Sequence, residues 1–250
     1  MNSRDIVICR DAADLNRRAA EEFIRLARRA VQSADRFTVA LAGGSTPKGL
    51  YKLLALDACK ERVPWTKVHL FWGDERCVAP GHPDSNYRMV REALLSRISI
   101  PAGNVHRMAG EHEPGLAASE YENDLKKSFH LSGGVLPRFD LVLLGIGEDG
   151  HTASLFPGSA ALGESGHMVV AHYVEKLKAY RLTLTLAVLN HAAEIVFLIS
   201  GRNKADIVKD ILANDGASSM LPAARIQPLA GRLTWLITQD AAAELPLSVV

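Results

Sequence analysis

The sequence predicts an α/β protein: a doubly wound, largely parallel sheet with helices on both faces. Three observations carry that expectation. Short apolar runs rich in β-branched and aromatic residues alternate along the chain with stretches of helical period. That alternation is the pattern of strands joined by crossover helices and covered on both sides. In addition, three of the runs pass directly into polar, glycine-containing segments, so all three segments project from one edge of a parallel sheet. The 250 residues, 48% hydrophobic and 23% charged, are enough for a sizeable core, and no Pro/Gly/Ser-rich linker divides them. One domain spanning residues 1–250 is expected.

In chain order, residues 6–9 give a short apolar strand, and residues 11–31 place Leu15, Phe23, Ile24, Leu26 and Ala30 at helical spacing behind an acidic opening. Residues 37–41 (FTVAL) form a strand ending in Gly43 and Gly44. Thr46 and Pro47 are then expected as the N-cap and first-turn proline of a helix to about residue 56. Residues 68–72 (VHLFW) read as the next strand, Asp84 or Ser85 caps a helix to about residue 97, and residues 114–129 form another helix. The clearest strand is 139–144 (FDLVLL), followed by Gly145, Ile146 and Gly147. Further strands are expected at 169–173, 182–186, 195–199 and 233–237, with helices at 204–212 and 240–244.

The net charge of +1 gives no global field for nucleic acid or membrane, so anion specificity must come from a few local groups and the partner is a small molecule. The first twenty residues lack the apolar run of a signal peptide and no stretch reaches the length of a membrane span, which predicts a cytoplasmic protein. Cys9, Cys59 and Cys77 lie far apart in no CxxC spacing, so neither a disulfide framework nor a metal site is suggested. Trp72 and Trp235 are assigned to core packing.

The chemistry is expected in the three strand-end segments. In the first, Gly43 and Gly44 let the backbone approach a ligand, the following helix N-terminus favours an anion, and the Ser45 and Thr46 hydroxyls add donors. It is not a Walker loop, because no Gly-Lys-Ser/Thr follows. The second, Gly73-Asp74-Glu75-Arg76, offers two acids and an arginine, although a solvated salt-bridge cluster is the commoner fate of such a charge run. The third, residues 145–151, matches G-x-G-x-x-G. A dinucleotide site is rejected because Pro157 and Gly158 break the chain where the fingerprint needs a helix. What remains is Asp149 two residues before His151, an imidazole suited to take a proton from water and a carboxylate able to orient it. Whether Asp149 or another acid orients His151 is left open. Arg181 and Lys204, near expected element ends, are candidate cations for a phosphate.

Together these segments resemble the 6-phosphogluconolactonase family, part of a wider group that includes glucosamine-6-phosphate deaminase. The resemblance rests on LAGGSTPKGLY (41–51), FWGDERCVAPGHPDSNYRM (71–89), FDLVLLGIGEDGHTASLFPG (139–158), RLTLTLAVLNHA (181–192) and GRNKAD (201–206), and covers roughly residues 37–240. It implies that the loop Gly43, Gly44, Ser45 and Thr46, with Arg181 and Lys204, holds a 6-phosphate, and that His151 is the general base. It further implies that Arg76 lies near the lactone or product carboxylate, with Asp74 and Asn86 lining the pocket. The implied enzyme is cofactor-free, needs no metal, works as a monomer or small homo-oligomer, and acts in the oxidative pentose phosphate pathway.

Two other classes share this fold. The isomerase and deaminase branch carries a glutamate five residues after the loop histidine, where this chain has Phe156, and a tyrosine where it has Arg76. Phenylalanine cannot relay protons, and arginine suits a substrate that becomes a carboxylate. Non-catalytic sugar-phosphate sensors usually carry a DNA-binding segment, whereas residues 1–36 offer a single long helix and no helix-turn-helix.

Overall fold

The computed structural model describes residues 4–213, 220–246 and 249. The elements are β1 (Arg4–Cys9), α1 (Ala12–Ala34), β2 (Phe37–Leu41), α2 (Ser45–Leu54), α3 (Asp57–Lys60), β3 (Val68–Trp72), β4 (Asp74–Arg76), α4 (Asn86–Ala93) and β5 (Val105–His106). They continue as α5 (Pro114–Ser128), β6 (Leu141–Leu144), β7 (Val169–Val174), β8 (Ala179–Leu184), α6 (Leu186–Asn190), β9 (Glu194–Ile199), α7 (Ala205–Ala213) and β10 (Arg232–Thr238).

Seven strands pair in parallel in the order β1-β10-β9-β6-β2-β3-β5. Every residue of β2, β6 and β9 is buried, as a sheet covered on both faces requires. From β2 the chain builds outward through β3 to β5, while from β6 it builds the other way through β9 to β10. The winding direction therefore reverses between the neighbours β2 and β6, and a crevice opens beyond their carboxyl ends. The buried apolar side chains form one contiguous cluster. Trp72 and Trp235 belong to it, Trp235 stacking on Phe197 with centroids 4.0 Å apart, so both serve packing.

Several expectations are corrected. Gly44, at φ 99°, is the N-cap of α2, so the helix begins at Ser45; Thr46 and Pro47 lie inside the first turn. Only a residue free to take positive φ can start the helix that early. Residues 240–244 are turns, and the helix expected to reach residue 97 ends at Ala93 before a short 3-10 turn. The strand expected at 182–186 runs Ala179–Leu184, so Arg181 sits within it. More consequentially, β7 and β8 leave the parallel sheet and join β4 in a second, antiparallel sheet of order β4-β8-β7. The chain exits at Gly73, whose N–H donates to Leu41 O at 2.9 Å and whose carbonyl accepts from Leu184 N at 2.9 Å. A three-residue strand such as β4 is too short to leave a periodic signal.

The Asp-Glu-Arg run is not a solvated cluster. Glu75 is 2% exposed and caps α4: Oε1 accepts from the N–H of Arg76 at 2.8 Å and of Asn86 at 2.7 Å, Oε2 from Tyr87 N at 2.7 Å and Ser85 Oγ at 3.2 Å. Ser85 Oγ accepts from Arg88 N at 3.1 Å, so the first three helix donors are all met by side chains. Burial raises the Glu75 carboxyl above its ordinary value, and the three N–H groups pull it back only in part. Glu75→Ala leaves those donors without acceptors in a dry site and is expected to cost about 3 kcal/mol, read as a lower urea midpoint at unchanged m-value.

Candidate active site

The crevice at the switch point has two lobes that share Gly43, Gly44, Gly145 and Ile146 as their common floor. The larger, of about 280 Å³, is bounded by the α2 N-terminus, by Ser200 and Asn203 beyond β9, and by Lys204. Pro47 has no N–H and Lys48 N donates to Gly44 O, which leaves the Ser45 and Thr46 N–H groups as the helix donors without an intrahelical acceptor. Thr46 Oγ1 and Ser200 Oγ are 2.8 Å apart and tie the β2 loop to the end of β9. Gly201, at φ 103°, turns the chain so that Lys204 reaches the same lobe, and Lys204 makes no ion pair among the described residues. Helix N–H groups, two hydroxyls and one free ammonium around so small a volume suit a phosphate.

The smaller lobe, of about 160 Å³, is lined by Asp74, Arg76 and His151 as well as the shared glycines. Asp149 Oδ1 lies 2.6 Å from His151 Nδ1 and accepts also from the His151 N–H at 3.2 Å. Burial works to raise the Asp149 carboxyl, but hydrogen bonds from His151 and Lys176 outweigh it and hold it down to about 2. An ionised carboxylate only accepts, so the shared proton sits on Nδ1, and in the neutral ring that leaves the lone pair on Nε2. The Phe156 ring stacks on the imidazole, centroids 4.3 Å apart, and fixes its plane. Thr152 and Leu155 bridge the chain after Gly150 and no helix opens there.

Arg76, which lines the same lobe, is directly paired with Arg181 across β4 and β8. Burial lowers Arg181 from its ordinary value and the neighbouring Arg76 adds to this. Two like charges in register are costly unless negative charge comes between them. Asp74, 7% exposed, is held by Ser154 Oγ at 2.7 Å from Oδ2.

The structure thus brings Gly43, Gly44, Ser45, Thr46 and Lys204 to one lobe and Asp74, Arg76, Asp149 and His151 to, or directly behind, the other. Two expectations shift. Arg181 stands with Arg76 rather than with Lys204, because β8 belongs to the second sheet. Asn86 is 3% exposed and lies behind the wall: its Nδ2 donates to Asp74 O at 2.9 Å, and a Cβ on Gly43 would come within 2.1 Å of its Oδ1. Sequence reasoning missed two tyrosines. The Tyr51 hydroxyl bridges Ala42 N and O at 3.0 and 2.8 Å, and the Tyr121 hydroxyl bridges Trp72 N and O at 2.8 and 3.1 Å, pinning the ends of β2 and β3. The available signal was a tyrosine on each helix's inward face, whose hydroxyl must find a partner once buried. Among the described residues no cluster of three His, Cys, Asp or Glu side chains forms a metal-binding set, and no helix is long and apolar enough to cross a membrane.

Comparison with known proteins agrees with this architecture. Residues 10–235 match the family described as glucosamine-6-phosphate isomerases/6-phosphogluconolactonase. A 6-phosphogluconolactonase of Synechocystis sp. is 43% identical over 218 residues, covering 87% of this chain and 88% of that protein. One from Mycobacterium leprae is 36% identical over 250 residues, covering 98% of this chain and 99% of that protein. The crystal structure of 6-phosphogluconolactonase from Thermotoga maritima superposes with a TM-score of 0.81 at 30% identity, covering 94% of this chain and 100% of that one. With the match extending over nearly the whole chain, and with the crevice, glycine loops and imidazole in place, the protein belongs to the glucosamine-6-phosphate isomerase/6-phosphogluconolactonase family.

Proposed function

We propose that the chain, as a single domain in the cytoplasm, hydrolyses 6-phospho-D-glucono-1,5-lactone to 6-phosphogluconate, the lactone-opening step of the oxidative pentose phosphate pathway. The observation that carries this reading is the Asp149–His151 pair, with Phe156 against it, one lobe away from a phosphate-sized pocket. The phosphate sits on the Ser45 and Thr46 donors and Lys204, which places the lactone ring over the shared glycines. His151 Nε2 takes a proton from water and the hydroxide adds to C1. The resulting oxyanion faces Arg76, with Arg181 beside it, in a crevice walled by buried groups. Collapse of the intermediate breaks the C1–O5 bond, and the imidazolium returns its proton to O5. Water is thereby added across the ester, and the product carboxylate stays opposite the paired arginines.

Phe156 separates this reading from ring-opening isomerisation, since the side chain stacked on that face of His151 is an aromatic ring, which cannot relay a second proton. The test is acid release from freshly generated lactone, corrected for the spontaneous rate, with glucosamine 6-phosphate assayed in parallel. Lactone opening well above the spontaneous rate with no ammonia is the expected outcome. Ammonia release would assign the chain to the deaminase branch, and phosphate-dependent binding without turnover to a sensor.

A further inference from the structure

Lys176 lies in the turn joining β7 to β8, where the last cross-strand pair is Val174 with Ala179 and Lys178 closes the turn at φ 48°. Its Nζ donates to Asp149 Oδ2 at 3.0 Å, while the other oxygen of the same carboxylate holds His151 Nδ1. One carboxylate therefore links a cation carried by the antiparallel sheet to an imidazole carried by the parallel sheet. The turn does not depend on this contact for its position. The hairpin is anchored by His172 Nε2, which donates to Ser154 O at 2.6 Å, and by Met168 N, which donates to Glu122 on α5 at 2.8 Å.

We propose that Lys176 is a positioning residue for the reaction: it holds Asp149 in the orientation that faces His151 and offsets part of its negative charge, so that the imidazole stays a free base at lower pH. This rests on the lactonase reading for its catalytic meaning, but not for its physical content. A carboxylate beside an imidazole favours the imidazolium, and a second cation on that carboxylate subtracts from the effect. The other charged groups around the pair act less directly. Arg76 and Asp74 line the lobe with His151, and Arg181 stands beside Arg76. His172 lies beyond Phe156, their rings 6.4 Å apart. Glu148 is held by Asn203 Nδ2 at 2.5 Å, and Glu175 adjoins Lys176 in the turn. Asp149 itself takes its side-chain hydrogen bonds from His151 and Lys176, so removing the lysine leaves the imidazole as the remaining charged partner among the described residues. The Lys176 side chain is 70% exposed, so water and salt limit the effect to about half a pH unit.

The experiment compares the wild type with Lys176→Met and Lys176→Arg in two readouts: the pH profile of kcat/KM for the lactone, and the titration of the His151 ring followed by nitrogen NMR without substrate. In the Met variant both the acid limb and the ring titration are expected to move up by about half a pH unit, with high salt narrowing the gap. The Arg variant restores both. A ring that titrates at the same pH in the Met and wild-type proteins overturns the proposal. So does a uniform fall in kcat/KM at every pH, which would make Lys176 a substrate contact. Absence of hydrolysis by the wild type would instead defeat the lactonase reading, and the NMR titration would still decide the role of Lys176.

Discussion

Replacing His151 with alanine is expected to lower kcat for lactone opening by about 10²- to 10⁴-fold while changing KM by less than about threefold. The asymmetry follows from the two-lobed crevice. The groups assigned to the phosphate, Ser45, Thr46 and Lys204, line the larger lobe and do not touch the imidazole, so ground-state binding survives. What is lost is the one imidazole among the described side chains lining the smaller lobe, where Arg76 is a cation and Asp74 already accepts from Ser154. Residual activity is expected from Arg76, proposed to meet the oxyanion. An acid limb in the wild-type profile should not belong to Asp149, whose carboxyl is held at about 2. The sign for stability follows from the same depression. Asp149 contributes above its unfolded value near 3.8, and that contribution disappears as pH falls through about 2. Steady-state assays of wild type and variant across pH, with the spontaneous rate subtracted, measure the kinetic effects, and urea midpoints of the wild type between about pH 2 and 5 measure the stability effect. A kcat within tenfold of wild type would mean that some other group activates the water.

What could be read from the chain alone, and what could not, divides along a physical line. Runs such as 37–41 and 139–144, buried on both faces in the structure, announced themselves as strands because continuous apolar sequence has few other uses. Their glycine-rich sequels placed the crevice correctly, since strand ends in a parallel sheet share one edge. The second sheet was hidden because β4 has three residues and its pairing with β8 is set by where Gly73 lets the chain turn, a long-range fact with no local period. That is why Arg181 was grouped with Lys204 and not with Arg76. Glu75 was legible only as a charge, because the helix it caps begins eleven residues later. Asp149 was a candidate partner of His151 that spacing could not settle, since alternate loop side chains diverge unless the backbone bends between them. Gly150, at φ 78°, provides that bend.

Gly147→Ala is the sharper test of that loop, and its expected result is a loss of about 10²-fold or more in kcat with the fold retained. Gly147 has no left-handed backbone angle, so alanine meets no torsional penalty and the effect is confined to what its methyl group touches. A Cβ there would lie 2.0 Å from His151 Nδ1, 2.1 Å from Cε1 and 2.7 Å from Asp149 Oδ1. All three atoms belong to the proposed proton-transfer pair. The backbone around it is tied down, Gly147 N donating to His151 O at 2.8 Å and Gly150 N to Gly147 O at 3.0 Å, so the side chains must give way. One face of the imidazole is already covered by Phe156, which restricts how the ring can move while keeping its bond to Asp149. The middle glycine of this G-x-G-x-x-G therefore makes space for the imidazole proposed as the base, where in a dinucleotide site it would make space for a pyrophosphate. Measuring kcat beside the thermal midpoint separates the cases. A large fall in kcat with a midpoint within a few degrees of wild type locates the damage in the pair, whereas an active alanine variant would mean that the imidazole works from a second position in which Asp149 plays no part.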